Sequence, residues 1–121
     1  MTNQSTPIIN QYVGFVETDS FENSFEAVEQ LAESIISGLD LHVVKKHSHA
    51  FFPKGITIVY ILSESHLAIH TWPELGVIHI DLVTCSPRTK VEFEKSLKYT
   101  LNGYKVRSVK VRSVDIENYK P

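Results

Sequence analysis

The sequence has 121 residues, with 12 basic and 14 acidic side chains and six histidines, and its net charge is −2. A chain of this length allows one domain, and such a domain buries roughly two-thirds of the surface of its unfolded chain, which is enough for a real core. The balanced charge gives no sign of a nucleic-acid partner, and no apolar run approaches the roughly 18 residues of a membrane-spanning helix.

Cys85 is the single cysteine of the chain, which excludes an internal disulfide and is typical of a reducing cytoplasm. The first seven residues are polar and lack the pattern of a signal peptide. We therefore expect a cytoplasmic protein. The histidines include neither a helical His-x-x-x-His pair nor a His/Cys cluster at ligand spacing, so no metal site is predicted.

The N-terminal part predicts one strand and one helix. Residues 8–16 are apolar enough for a first strand, and residues 23–37 form the clearest helical pattern. Asn23 is the expected N-cap, Glu26 would complete a capping box, and Gly38 suits the C-terminal stop. Apolar side chains recur at helical spacing and form one stripe: Phe25, Val28, Leu31, Ala32 and Ile35.

Two strands are predicted next. Residues 41–50 form the first, and Pro53 and Gly55 mark the turn that follows it. Residues 56–62 are apolar on both faces, which predicts a central strand that is covered on both sides. Residues 67–70 are expected to continue the sheet after a break.

The C-terminal part predicts two more strands around a second helix. In residues 77–85, apolar positions alternate with a polar face that carries His79, Asp81 and Cys85. Ser86 before Pro87 predicts the N-cap of the helix. Residues 105–114 form the last predicted strand. The apolar stripe of the second helix and its end are given by four residues: Phe93, Leu97, Leu101 and Gly103.

This order of elements predicts an α+β fold, a two-layer α/β sandwich in which two helices cover one face of an antiparallel sheet. Residues 1–121 form a single domain in this interpretation. The other sheet face is apolar with embedded polar groups, so it should also be buried. In a single small domain the obvious cover is a second copy of the chain.

Residues 63–74 read Ser-Glu-Ser-His-Leu-Ala-Ile-His-Thr-Trp-Pro-Glu and directly follow the apolar run. This stretch resembles the processing site of the bacterial and archaeal S-adenosylmethionine decarboxylase proenzymes, which are pyruvoyl enzymes. The resemblance implies that the chain cuts itself between Glu64 and Ser65. The products would be a β chain of residues 1–64 and an α chain of residues 65–121, and Ser65 would become the pyruvoyl cofactor.

The resemblance extends from about residue 49 to residue 85 and implies roles for three further residues. His70, in His-Thr-Trp-Pro-Glu, would assist processing. Thr57 would help to polarise the scissile carbonyl group, and Cys85 would protonate the product carbon. The chemistry requires a serine on a strained turn, a nearby base and a hydrogen-bond donor for the oxyanion.

The resemblance also implies a substrate site. Phe51 would stack on adenine and Glu74 would hold the ribose hydroxyls, while Trp72 is a further candidate for substrate contact. Several features depart from the family pattern: the N-terminal strand lacks the usual Gly-x-His and Tyr-Gly-Cys stretches, and Phe52 stands where a small polar residue is common. Ser86 replaces the glycine that usually follows the cysteine, and His79 adds a polar side chain to the face that carries Cys85.

The implied function is a pyruvoyl-dependent S-adenosylmethionine decarboxylase, a carboxy-lyase that supplies decarboxylated S-adenosylmethionine for spermidine synthesis. The implied assembly is an αββα homodimer, (αβ)2 after cleavage, with an active site at the sheet-to-sheet contact that draws on both protomers. One alternative is a pyruvoyl-dependent arginine or ornithine decarboxylase of the same family. Another is a non-catalytic paralogue that only binds a partner subunit.

Overall fold

The computed structural model describes residues 8–115, which form six strands and two helices. Their bounds are β1 (Asn10–Thr18), α1 (Phe25–Gly38), β2 (Val43–Ala50), β3 (Ile56–Leu62), β4 (Ser65–Trp72), β5 (Val77–Thr84), α2 (Lys90–Thr100) and β6 (Val106–Val114). The strands build one sheet in the order β2-β3-β4-β5-β1-β6, and every neighbouring pair is antiparallel. The predicted α+β sandwich is confirmed.

The core lies between one face of the sheet and the two helices. Alternate residues of the inner strands point toward the helices, as expected for side chains with a period of two. Full burial of one Val, Leu, Ile or Phe side chain adds about 1.5–3 kcal/mol to the free energy of unfolding, compared with the same side chain left exposed. Fully buried side chains come from β1, β3, β4, β5 and both helices, and they include Val16, Ile58, Tyr60, Leu67, Ile69, Ile80, Leu82, Ile35, Phe93 and Leu97.

The start of α1 differs from the prediction by one residue. Ser24, not Asn23, is the N-cap, and its Oγ accepts a hydrogen bond from the backbone N–H of Ala27 at 3.1 Å. The Asn23 side chain instead accepts a hydrogen bond from Thr71 Oγ1 at 3.3 Å. Asn and Ser are equally good caps, so a tertiary contact decided between adjacent candidates.

The start of α2 is further from the prediction. Thr89 is the N-cap and forms a capping box with Glu92, so the expected cap at Ser86 is wrong. The Ser86 hydroxyl is engaged within the loop, 3.1 Å from Thr84 Oγ1 and 3.2 Å from Arg88 Nη1. The helix therefore begins at Lys90, five positions after Cys85.

The second face of the sheet is left uncovered by the residues that the structure describes, 8–115. Ile61, on this face of β3, is 45% exposed, so the prediction that residues 56–62 are covered on both sides is not met by one chain. The strand is nevertheless internal, between β2 and β4. We call this surface the open face, and its members include Gln11, Val13, Phe15, His47, His49, Thr57, Val59, Ile61, His66, Ala68, His70, Trp72, His79, Asp81 and Val83.

Within residues 8–115, neither helix is long and apolar enough to cross a membrane.

Candidate active site

The predicted cleavage site lies in the hairpin between β3 and β4. Ser63 and Glu64 form its two-residue loop, because Leu62 and Ser65 are directly paired. Ser65 has a φ of +141°, a backbone region that side-chain-bearing residues rarely adopt. Such a conformation costs about 1–3 kcal/mol and persists only where the surroundings impose it. The Glu64–Ser65 peptide bond therefore ends in a strained residue, as the predicted chemistry requires.

The carbonyl group of this peptide bond faces a hydrogen-bond donor from the neighbouring strand. The backbone N–H of Cys85 donates to the Glu64 carbonyl oxygen at 2.6 Å. The contact forms because Ser65 is paired with Thr84, the last residue of β5, which brings the next residue beside the hairpin. A donor fixed on a carbonyl oxygen polarises the group and stabilises a developing oxyanion. Sequence reasoning missed this donor, since backbone groups leave no signal in a residue pattern.

A contact with residue 42 holds the hairpin loop from the other side. Glu64 Oε1 accepts a hydrogen bond from the backbone N–H of His42, and Oε2 lies 3.3 Å from His42 Nδ1. The backbone N–H of Ser63 donates to the His42 carbonyl oxygen at 2.9 Å. Burial acts to raise the pKa of the Glu64 carboxyl, but the bonds with His42 outweigh it and lower this pKa. The sequence carries no signal that would have identified His42.

The loop after Cys85 is tied to the end of α1. Arg88 donates from Nε to the Leu39 carbonyl oxygen at 2.6 Å and from Nη2 to the Asp40 carbonyl oxygen at 3.0 Å. The hydroxyl of Tyr12 donates to the Arg88 carbonyl oxygen at 2.6 Å. These bonds connect the loop to both layers of the sandwich. The thiol itself is exposed.

A second group of predicted residues lies at the opposite end of β4. His70 is paired with Thr57 of β3, and its Nδ1 is 2.9 Å from Thr57 Oγ1. On its other side it is paired with His79 of β5. Burial and, secondarily, the positive charge of His79 lower the pKa of His70, although Asp81 acts in the opposite sense. The imidazole is therefore predominantly neutral at neutral pH, and this is the form that accepts a proton.

Thr57 and His70 also line a pocket beside the end of β4. Its volume is about 350 Å³. The pocket contains all three predicted substrate-binding residues, so the structure brings Phe51, Trp72 and Glu74 together with the predicted processing residues. Its full lining is Phe51, Lys54, Gly55, Thr57, His70, Thr71, Trp72 and Glu74.

The predicted site residues thus fall into two groups. Glu64, Ser65 and Cys85 form the cleavage end, and Thr57 and His70 with the pocket form the histidine end. Ser65 and His70 are five positions apart on β4, which corresponds to about 16 Å because a strand rises about 3.3 Å per residue. Within one protomer His70 therefore does not reach Ser65, and the two residues do not share a cavity.

Among residues 8–115, no group of three or more His, Cys, Asp or Glu side chains is arranged to hold a metal ion.

Comparison with known proteins settles the family. The family model described as S-adenosylmethionine decarboxylase matches residues 16–116. The chain belongs to the S-adenosylmethionine decarboxylase family. Among similar sequences, the S-adenosylmethionine decarboxylase proenzyme of Persephonella marina is 37% identical over 94 residues, which cover 78% of this chain and 68% of the relative.

Two further relatives and one solved structure agree. The proenzyme of Archaeoglobus fulgidus is 36% identical over 83 residues, covering 69% of this chain and 72% of that protein. The proenzyme of Clostridium botulinum strain Hall is 42% identical over 81 residues, which cover 64% of this chain and 69% of that protein. The crystal structure of the adenosylmethionine decarboxylase from Aquifex aeolicus superposes with a TM-score of 0.74 at 20% identity, covering 97% of this chain and 99% of that one, which shows the same fold.

Proposed function

We propose that this family member is a self-cleaving proenzyme that is cut between Glu64 and Ser65, and that the mature protein is a pyruvoyl-dependent S-adenosylmethionine decarboxylase. The observation that carries the proposal is the geometry of the scissile peptide. A strained serine at the end of a two-residue loop follows a carbonyl group that accepts a 2.6 Å hydrogen bond from the Cys85 N–H.

The first step is an N-to-O acyl shift. The Ser65 hydroxyl attacks the Glu64 carbonyl carbon, negative charge develops on the carbonyl oxygen, and the carbon–nitrogen bond then breaks to leave an ester and a free amine. The Cys85 N–H stabilises that charge, because its hydrogen bond strengthens as the oxygen becomes anionic. Relief of the strained φ at Ser65 favours the same direction.

The second step needs a base. Removal of the α-proton of Ser65 expels the Glu64 carboxylate and leaves a dehydroalanine, whose hydrolysis releases ammonia and generates the pyruvoyl group. His70 is the base in this proposal, because its lowered pKa keeps the imidazole neutral at neutral pH.

Ser65 and His70 are roughly 16 Å apart on one strand, and in this proposal a second protomer supplies the His70 that acts on Ser65. In a two-fold symmetric dimer, one surface contacts the same surface on the partner, so residue i meets residue j and residue j meets residue i. If the open faces pack together, the cleavage end of one protomer can lie against the histidine end of the other. Three large apolar side chains of that face are exposed, Phe15, Ile61 and Trp72, and they support this homodimer because its formation would bury them. Each dimer would hold two composite sites.

One tautomer of His70 accommodates both proposed processing roles. If His70 Nδ1 carries the proton and donates to Thr57 Oγ1, Nε2 is free to accept a proton. The hydrogen of the Thr57 hydroxyl is then free as well, and it can donate to the partner's Glu64 carbonyl oxygen. That carbonyl oxygen would receive two donors, the Thr57 hydroxyl and the Cys85 N–H.

The residues around the cut fit the pyruvoyl group, since the strained Ser65 that would form it begins a strand beside Cys85. The ketone supplies an electron sink for decarboxylation. Phe51 supplies an aromatic face for adenine and Glu74 a carboxylate for ribose hydroxyls, both in the pocket of about 350 Å³. These residues favour an adenosyl substrate over arginine or ornithine. The exposed Cys85 thiol is the proposed donor of a proton to the product carbon.

Intact mass spectrometry of the folded protein tests the cleavage. We expect two fragments, residues 1–64 and 65–121, the second with a blocked N-terminus. Ser65→Ala should stay uncut. A single full-length chain in the wild-type protein would contradict the proposal. Carbon dioxide release with S-adenosylmethionine, arginine and ornithine, measured side by side, tests the substrate.

A further inference from the structure

His79 has no role in the chemistry above, yet it lies directly beside the proposed base. It is paired with His70 across β4 and β5, and the two ring centroids are 5.9 Å apart. The opposite side of His70 is bonded to Thr57. The base is therefore enclosed between a hydroxyl and a second imidazole, both on the open face.

We propose that His79 is a positioning residue that keeps His70 in its neutral form and thereby determines the lower pH limit of self-cleavage. The proposal rests on the function proposed above, in which His70 is the base. Two imidazolium ions at this separation repel each other, so protonation of either ring disfavours protonation of the other. Burial lowers the pKa of His70, and repulsion by the charge of His79 lowers it further.

Several other groups lie near His70 among residues 8–115, and two charged ones, Lys54 and Glu74, line the same pocket. Asp81 of β5 attracts a proton to His70, and its carboxylate accepts a hydrogen bond from Gln11 of β1 at 3.1 Å. On β4 the indole of Trp72 lies 6.3 Å from the His70 ring, between centroids. On β2, His49 is paired with Thr57 and has its ring against Phe51.

In the proposed dimer, the partner's Glu64 and the partner's Cys85 also approach His70. These two groups are common to every variant considered below.

His79 and Asp81 therefore act on His70 with opposite signs. His79→Asn removes a like charge, so the pKa of His70 rises and the base is protonated up to a higher pH. Asp81→Asn removes an attracting charge, so the pKa falls and the base stays neutral to a lower pH. A loss of packing alone would not move a titration in opposite directions for two neighbouring residues.

The direct test is an NMR titration of the histidine side chains in the uncleavable Ser65→Ala precursor, with His70 assigned by its loss in His70→Gln. We expect His79→Asn to raise the His70 midpoint by about one pH unit, at the low end of charge–charge effects in proteins. Asp81→Asn should lower it. His47→Asn is the matched control, because it removes another open-face histidine, on edge strand β2, and should leave the midpoint unchanged.

The second test follows self-cleavage against pH after cell-free synthesis of the same substitutions with Ser65 intact. The acid limb of the rate profile should move with the His70 midpoint, upward for His79→Asn and downward for Asp81→Asn. His79→Gln repeats the experiment if the first variant folds poorly. An unchanged midpoint in both His79 variants overturns the coupling and leaves the base assignment intact. A shifted midpoint with an unchanged rate profile overturns the claim on pH and shows that His70 is not the base.

Discussion

The two ends of β4 are built from different parts of the chain. At the cleavage end the decisive features belong to the backbone: the positive φ of Ser65 and the hydrogen bond from the Cys85 N–H to the Glu64 carbonyl. At the histidine end they are side chains, namely the Thr57–His70 pair and the pocket beside it. Substitutions at the histidine end should therefore distinguish the roles of its individual side chains. At the cleavage end, the backbone N–H of residue 85 should remain in place after most substitutions.

The largest expected effect on self-cleavage comes from mixed dimers, in which an intact cleavage end and an intact histidine end are on different chains. Ser65→Ala should stay uncut because the nucleophile is gone, and His70→Ala should be cut about 10²–10⁴-fold more slowly because the proposed general base is lost. In a mixed dimer, the His70→Ala chain still has its serine and can use the partner's His70. We therefore expect the His70→Ala chain to be cut when it is co-expressed with Ser65→Ala, as read from differently tagged chains on a denaturing gel.

The control for this mixture is a Ser65→Ala, His70→Ala double variant as the partner, which should rescue nothing. Cleavage of His70→Ala on its own at the wild-type rate would disprove the role of His70. Failure of rescue, despite a confirmed mixed dimer, would disprove the composite site.

Cys85→Ala should separate backbone from side chain at the cleavage end. The N–H that contacts Glu64 remains, so self-cleavage should stay within a few-fold of wild type. The proton donor is lost, so decarboxylation should fall by about 10²–10⁴-fold. The same preparation should inactivate itself faster during turnover, because protonation at the wrong carbon transaminates the cofactor. If fully processed Cys85→Ala decarboxylated substrate at the wild-type rate, the thiol would not be the proton donor.

Thr57 should give a smaller effect. Thr57→Val keeps the shape of the side chain but removes the hydroxyl that contacts His70 and is proposed to contact the scissile carbonyl. Loss of one oxyanion donor typically costs about 10²–10³-fold, so cleavage should slow by that order. Thr57→Ser is the matched control and should process almost normally. Equal rates for the valine and serine variants would exclude a role for the hydroxyl.

The smallest effect is expected at His42. His42→Ala removes the ring contact with Glu64, but both backbone bonds to residue 42 remain, so cleavage should slow only a few-fold. The folded-state pKa of Glu64 is below its ordinary value of 4.5, so the stabilisation is present above that pH and is lost as the pH falls below it. Urea unfolding of the Ser65→Ala precursor, with and without His42, should therefore converge at acidic pH. If the two free energies of unfolding still differed at acidic pH, the contact between His42 and Glu64 would not be electrostatic.

The sequence predicted most elements of the sheet correctly because hydrophobic periodicity reflects which face of a strand or helix is buried. The alternation in residues 77–85 placed Ile80 and Leu82 inside and His79 and Asp81 on the other face, and the structure confirms it. The helix caps were wrong because local rules cannot rank competing partners. Asn23 and Ser24 are both good caps, and the Ser86 hydroxyl is occupied in its loop.

The sequence by itself determined the family motif, the α+β sandwich and the identity of the candidate side chains, because residue types and their spacing are local properties. Only the tertiary structure decided how those side chains are grouped. The sequence predicted a break in the strand before residue 67, but β4 begins at Ser65. Ser65 and His70 therefore lie on one extended strand, which keeps them apart. The pairing of Ser65 with Thr84 then brings the Cys85 N–H to the Glu64 carbonyl oxygen. Strand register depends on contacts between distant parts of the chain. It therefore decided that the residues of one continuous sequence motif lie at opposite ends of β4.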